Sequence, residues 1–120
     1  MYAKALFDIV HTHGQQALKL VVALEEGAEE LFASPNTLAA IEGHLRQVAT
    51  TLAHLPPVVM LRLPQVDWAG WAALLQALQQ PSTPDRREIV WYAVCGLLPA
   101  TLVLLDQLRD KEPDWFEIQY

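Results

Sequence analysis

The sequence predicts an all-α protein, an antiparallel up-and-down bundle of four to five helices. Three observations support this prediction. Apolar residues recur every three or four positions over several long stretches, which is the spacing of one helix face. Prolines or capping residues bound each of these stretches. Finally, 52% of the 120 residues are hydrophobic, which is enough for one buried core, so we expect a single domain over residues 1–120.

The first helix is expected near residues 3–26. Its apolar positions, which include Leu6, Val10 and Leu24, follow the steps of a helix face, and Gly27 is interpreted as its C-terminal stop. This face is wider than one core contact requires. We therefore expect a second copy of the chain to cover part of it, in a homodimer built mainly through the first and last helices.

The second helix is expected near residues 36–55, with Ser34 as its N-cap and Pro35 at its first position. Its apolar residues are spaced three and four positions apart without a break, as in the seam of an antiparallel bundle. They are Leu38, Ile41, Leu45, Val48, Leu52 and Leu55. The pair Pro56-Pro57 ends the pattern.

The segment VVMLRL (Val58 to Leu63) follows these prolines. A single strand would have no pairing partner in a helical chain, so we expect a short helix or an extended packed segment. Two interpretations of its role stay open. Either the segment packs back onto the bundle, or Val59, Met60 and Leu61 belong to an apolar contact patch for another protein.

A third helix is expected near residues 68–80, capped by Asp67 and ended by Pro81. One stripe of this helix carries large apolar side chains, and we expect it to flank an interface. The stripe consists of Trp68, Trp71, Leu75 and Leu78.

The fourth helix is expected near residues 85–111, with Asp85 as its cap. Pro99 lies inside it and predicts a kink around Gly96 to Leu98. Arg86 and its neighbour are interpreted as solvated residues at the helix start.

The aromatic tail follows this helix, and its Trp115 and Phe116 are expected to dock on the bundle.

Charge and composition bear on the partners. The net charge is −6 and the lysines and arginines are scattered, which disfavours a nucleic-acid surface: DNA is not an expected partner, and RNA binding is disfavoured. No leader pattern follows Met1, and no uncharged apolar run reaches the roughly 18 residues of a membrane span. We therefore expect a cytoplasmic protein that does not contact a membrane.

The histidines and the single cysteine form no metal-binding pattern. His11 and His13 leave a helix in directions about 200° apart, and His44 and His54 are separated by nearly three turns. His13 falls on the apolar stripe and is interpreted as a half-buried, hydrogen-bonded side chain. Cys95 is expected to be buried and unreactive. No metal ion and no cofactor is expected.

Three segments occur in a characteristic order: ELFASPNTLAAIEGHLRQVATTL (Glu30 to Leu52), the helix opening at Asp67-Trp68, and REIVW followed by LLPATLVLLDQL (Arg87 to Leu108). Together they resemble the HepT-like branch of the HEPN superfamily, small helical proteins best known as RNase toxins. Ser34, Pro35 and Thr37 match the family's opening of the second helix.

The resemblance implies where a catalytic site would lie. The family carries the motif Arg, four residues, His, one residue, Tyr, and counting from Trp68 these positions hold Leu75, Gln80 and Ser82. In the family, the arginine and histidine support RNA cleavage across a dimer cleft, and a minimal nucleotidyltransferase partner modifies the tyrosine with AMP. Leucine provides no cation and glutamine does not titrate, so no catalytic residue is assigned.

Two hypotheses follow. The first is a non-catalytic HEPN-like protein that acts by homodimerisation and protein–protein binding, as a degenerate toxin–antitoxin component. Its predicted interface residues are Trp68, Trp71, Leu75, Leu78, Val59, Met60 and Leu61. The second is a HepT-like endoribonuclease toxin with a rearranged site, which would need an imidazole from one of the four histidines near an arginine.

Overall fold

The computed structural model describes residues 3–81 and 83–111. This part of the chain is 81% helical and contains no strand, so the prediction of an all-α bundle is confirmed. The elements are α1 (Ala3–Val22), α2 (Ala28–Phe32), α3 (Pro35–Ala53), α4 (Pro57–Leu61), α5 (Trp68–Leu78), α6 (Pro84–Tyr92), a π-helical turn (Ala93–Leu97) and α7 (Leu98–Lys111).

Helix α1 is shorter than the sequence predicts. It ends at Val22 instead of Glu26, because the carboxylate of Glu30 accepts hydrogen bonds from the backbone N–H groups of Glu25 (2.9 Å) and Glu26 (3.0 Å) and holds them in a turn. Gly27 has a positive φ of 71° and is the N-cap of α2, a backbone conformation that favours glycine. Gly27 therefore opens a helix that the sequence analysis missed and does not stop α1.

The apolar face of α1 is mostly absorbed by the bundle itself. Phe7, Val10 and Ala17 are buried, and a further set of side chains packs partly buried against the core. That set is Leu6, Leu18, Leu20, Val21 and Leu24. The premise that this face exceeds what one core can cover is therefore wrong for most of its length, and only Ile9 and Val22 remain exposed among its large apolar residues.

Helix α3 is the centre of the bundle and contacts α1, α2, α5 and the π-helical turn. Its predicted seam is confirmed, because Ile41, Leu45, Val48 and Leu52 are at most 1% exposed. Ser34 occupies the N-cap position as predicted, but its side chain makes no capping hydrogen bond.

The segment after Pro56 forms a short helix, α4, which confirms one of the two predicted conformations. Val59 and Leu63 pack into the core, whereas Val58 and Leu61 face outward. The helix thus has a buried side that anchors it to the bundle and an exposed side.

The break near Pro99 takes the form of a π-helical turn over Ala93–Leu97. Proline has no N–H to donate to the preceding turn, and a widened turn accommodates this loss within a continuous helical stretch. The hydroxyl of Thr101 donates to the carbonyl of Leu97 at 2.8 Å, and the indole N–H of Trp71 donates to the Thr101 hydroxyl oxygen at 3.0 Å. This buried chain of hydrogen bonds ties α5 to the last helix.

The start of α6 differs from the prediction. Thr83, and not Asp85, is the N-cap: its hydroxyl oxygen accepts from the N–H of Arg86 at 3.1 Å, and Pro84 occupies the first helical position. Threonine at this position satisfies an N–H group that the helix itself leaves unpaired.

Arg86 is not the solvated residue that the sequence indicated. Its guanidinium donates two hydrogen bonds to the carboxylate of Glu42, at 2.7 and 2.8 Å, and its Nε donates to the carbonyl of Ala77 at 3.0 Å. The ion-paired side chains are only 11% and 13% exposed. The hydrogen bond to Glu42 raises the pKa of Arg86. Arg86 therefore joins α3, α5 and α6.

Within the described chain, one helical stretch passes a simple test for a membrane span. Pro84–Lys111 is long and apolar enough by length and composition, with a mean hydropathy of 1.9 over its most apolar 18 residues. However, 44% of those residues are buried inside the bundle, as in the core helix of a globular protein.

We predict that Arg86→Met lowers the free energy of unfolding by about 2 kcal/mol, because it leaves Glu42 without its bidentate partner in a nearly enclosed position. The control is Arg87→Met, since Arg87 is exposed and only stacks over the ring of Phe32 at 5.9 Å. Urea unfolding of both variants tests this, and an equal effect of the two would contradict it.

Candidate binding groove and histidine pair

An apolar groove of about 260 Å³ opens between α3, α4 and α5. Leu52 and Trp71 are buried beneath it, whereas Ala53 and Ala72 are exposed at its edge. It is lined by Ala49, Leu52, Ala53, Met60, Trp68, Trp71, Ala72 and Leu75. No side chain in this lining can titrate, so the groove offers contact surface and no acid–base chemistry.

Both indole N–H groups beside the groove are already bonded elsewhere. Trp68 donates to the carbonyl of Leu63 at 3.1 Å, and Trp71 donates to Thr101. The two rings therefore present carbon surface to the groove, and their donors are not available to a ligand. Such a lining favours aliphatic or aromatic side chains over phosphate or a polar ligand.

The structure brings four of the predicted interface residues to this groove: Met60, Trp68, Trp71 and Leu75. Trp71 is only 2% exposed and contributes to the wall of the groove from within the core.

Two predicted interface residues need correction, and a third lies away from the groove. Leu78 and Val59 are core residues, because the packing of α4 and α5 on the bundle leaves them 7% and 0% exposed. Leu61 is 79% exposed but lines a different hollow of about 300 Å³, together with Arg62 and Lys111. The idea that Val58 to Leu63 forms one continuous contact patch is therefore wrong, since a helical segment alternates its faces.

The two described positions of the family motif lie at different hollows. Leu75 is half-buried in the groove, and Gln80 is exposed beside another, open hollow that also includes Gln76 and Ile89. Ser82 lies outside the described residues, as do Trp115 and Phe116.

A pair of histidines forms a second site, which the sequence analysis missed. The Nδ1 atoms of His13 on α1 and His44 on α3 lie 2.9 Å apart, with ring centroids separated by 5.1 Å and planes tilted by 44°. At this distance one ring donates its N–H to the lone pair of the other. The prediction that His13 is half-buried and hydrogen-bonded is confirmed, but its partner was not identified.

The environment of His44 favours its neutral form. Burial lowers the pKa of His44 below its usual 6.5, and the positive charge that His13 can carry lowers it further. A second proton on the pair would remove the acceptor lone pair and place two cations in contact.

Helical spacing relates only residues of one helix, so it could not predict this pair. His13 and His44 are 31 positions apart, and only the packing of α1 along α3 brings them together. The other histidines are isolated from them: His54 bonds to the carbonyl of Thr50 at 2.7 Å. In the part of the chain that the structure describes, no three His, Cys, Asp or Glu side chains are grouped so as to hold a metal ion.

Cys95 is exposed on the π-helical turn, which corrects the expectation of a buried thiol. In a regular α-helix, Cys95 would continue the apolar face of the last helix, but the wider π-helical turn changes its position around the helix. Its partly desolvated environment raises the pKa of the thiol, so the group stays protonated and weakly nucleophilic at neutral pH.

Comparison with known proteins returns no match to a family model, a curated protein or a solved structure. The resemblance to the HepT-like branch therefore rests on the quoted segments alone.

We predict that His44→Leu reduces the loss of stability on acidification. The pKa of His44 is lowered in the folded chain, so the unfolded chain takes up the proton first. The contribution of this group is complete above about pH 6.5 and is lost as the pH falls below that value towards the folded pKa.

Urea unfolding at about pH 7.5 and about pH 5 measures this loss. The matched control is His54→Leu, because His54 is exposed and bonds only to the carbonyl of Thr50, one turn earlier. If His44→Leu loses as much stability on acidification as the control does, the histidine pair does not have this role.

Proposed function

We propose that this chain is a non-catalytic protein-binding module, whose binding site is the apolar groove between α3, α4 and α5. The single observation that carries the proposal is the composition of the groove around Leu75. Three large walls from Trp68, Leu75 and Met60 enclose an opening whose lining has no titratable group and whose indole donors are occupied. Exposed apolar concavities of this kind fit the anchor side chains of a partner protein.

The family resemblance, taken as part of the proposal, indicates how the groove would differ from the site of a catalytic relative. In a HepT-like protein, the place of Leu75 would hold a catalytic arginine. A change to leucine replaces a cation by a side chain whose burial against a partner contributes about 1.5–3 kcal/mol. The proposed role is that of a degenerate toxin–antitoxin component in the cytoplasm, with a minimal nucleotidyltransferase as the partner that the resemblance implies.

A ribonuclease with a rearranged site is the second candidate, and one observation favours it: the His13–His44 pair provides two imidazoles in contact. The pair lies far from the groove, however. His44 and Ala53 are nine residues apart on α3, which is about two and a half turns and places them on opposite sides of the helix. In one chain, the two imidazoles are not part of the lining of the groove that holds Leu75.

We predict that Ala72→Glu abolishes partner binding, whereas the neighbouring Ala73→Glu does not. Both alanines are exposed on α5, so neither change disrupts the core, but only Ala72 lines the groove. A carboxylate there would have to be buried without a partner when an apolar anchor enters. Affinity isolation from a native extract with tagged wild type and both variants tests this.

The result that contradicts the proposal is a set of bound proteins that Ala72→Glu leaves unchanged. The same purified proteins also test the second candidate. Cleavage of single-stranded RNA by the wild type that is lost in His13→Gln or His44→Gln would replace the binding function by catalysis.

We further predict a homodimer through α1 and α7. After folding, Ile9 on α1 (40%) and Val103 on α7 (54%) remain exposed, and only 18% of the chain is charged. Light scattering at micromolar concentration should give twice the chain mass of 13.5 kDa, and the double change Ile9→Glu with Val103→Glu should return it to the mass of one chain. A wild-type mass of one chain contradicts this prediction.

A further inference from the structure

The charges of this protein are unevenly distributed along the chain. Residues 43–84 contain two of the eight lysines and arginines, Arg46 and Arg62, but one of the fourteen acidic residues, Asp67. This segment thus has a net charge of +1, whereas the remainder has −7. Every residue that lines the groove falls within this segment, so the groove is built from the least acidic part of the sequence.

The local contacts reinforce this difference. Arg46 is exposed and precedes Ala49 and Ala53, which line the groove, by three and seven residues, so it lies on the same stripe of α3. Two acids lie near this stripe, and both have partners. Glu42, four residues before Arg46, accepts both guanidinium hydrogen bonds from Arg86, and the Asp67 carboxylate accepts from the N–H of Gly70 at 2.8 Å and from the hydroxyl of Tyr92 at 3.3 Å. Arg46 is therefore the exposed cation on the stripe of α3 that leads to the groove.

We infer that the groove binds an amphipathic helical segment of a different protein, with apolar anchor side chains and acidic flanks. The inference rests on the proposed function and adds the chemistry of the partner. At about 260 Å³ the groove is small for a whole ligand but large enough for a few anchor side chains. Helical walls offer no free strand edge, so a segment that satisfies its own backbone is favoured over an added strand.

A second copy of this chain is a poorer occupant. Two-fold pairing of groove to groove would bring Arg46 of each copy towards the other, and two cationic rims repel. Head-to-tail pairing would place an acidic surface on the groove, but it would produce a ring or an open chain and not the two-fold dimer expected here.

The probes are two synthetic amphipathic peptides with the same leucine-rich face, one with glutamates on its flanks and one with lysines. Fluorescence anisotropy with full-length protein measures both affinities at about 50 mM and about 500 mM salt. We expect the acidic peptide to bind at least about fivefold more tightly at low salt, and the difference to shrink at high salt because charges at an exposed rim are screened.

Three variants locate the effect. Ala72→Glu should abolish binding of both peptides, whereas Arg46→Glu should remove or reverse the preference for the acidic one and retain binding. Arg87→Glu is the matched control, because Arg87 lies over Phe32 at the start of α6, and it should leave the preference intact.

These measurements distinguish a failure of this inference from a failure of the proposed function. Equal affinity for both peptides, or an effect of Arg87→Glu as large as that of Arg46→Glu, overturns the inference but leaves a binding groove. Binding of both peptides that Ala72→Glu does not change overturns the proposed function as well.

Two alternative occupants of the groove would give different results in these experiments. If the acidic peptide converts a dimer into single chains in light scattering, the occupant is a second copy and the inference is wrong. Residues 112–120 of this chain, EPDWFEIQY, are also acidic and aromatic. If Trp115→Ser with Phe116→Ser strengthens binding of the acidic peptide, this segment competes for the groove, and the inference of a different protein is wrong.

Discussion

Helix α3 buries Ile41, Leu45 and Val48 completely, and this burial constrains where the other helices lie. Because successive residues turn by about 100° around a helix, burying one seam at the centre leaves two flanks with different neighbours. One flank presents Ala49 and Ala53 to α4 and α5, where the groove forms. The other presents His44 to α1. The groove and the histidine pair are therefore two consequences of the same packing.

Local signals account for what the sequence predicted of the fold. The unbroken spacing from Ile41 to Leu52 identified α3, and prolines located the ends of α3 and α5 within a few residues. The errors occur where one specific side-chain contact determines the local structure. The turn at Glu25 depends on the carboxylate of Glu30 and on the positive φ of Gly27, and the role of Arg86 depends on Glu42, 44 residues away. Neither contact leaves a periodic pattern in the sequence.

The groove was predicted only in part, because contacts between separate helices leave no periodic pattern in the sequence. The stripe on α5 indicated Trp68 and Leu75 as interface residues, and the structure places both in the groove. The buried partner of Trp71, however, is Thr101 on the last helix, and helical spacing cannot identify it. The segment after Pro57 was treated as one surface because its composition is uniformly apolar. Its helix turns Val59 inward and Leu61 outward, so only a face, and not a whole segment, can be a contact surface.

The chemistry of the two sites sets them apart. The groove has an occupied set of donors and a cation only at its rim, which suits an apolar anchor with acidic neighbours. The histidine pair has the opposite character, because its polar atoms satisfy each other at the contact of α1 with α3. General acid–base catalysis requires an imidazole that can reach the reacting group, and here each Nδ1 is directed at the other ring. A pair bonded in this way links two helices, and only protonation of both rings removes the acceptor lone pair on which the link depends.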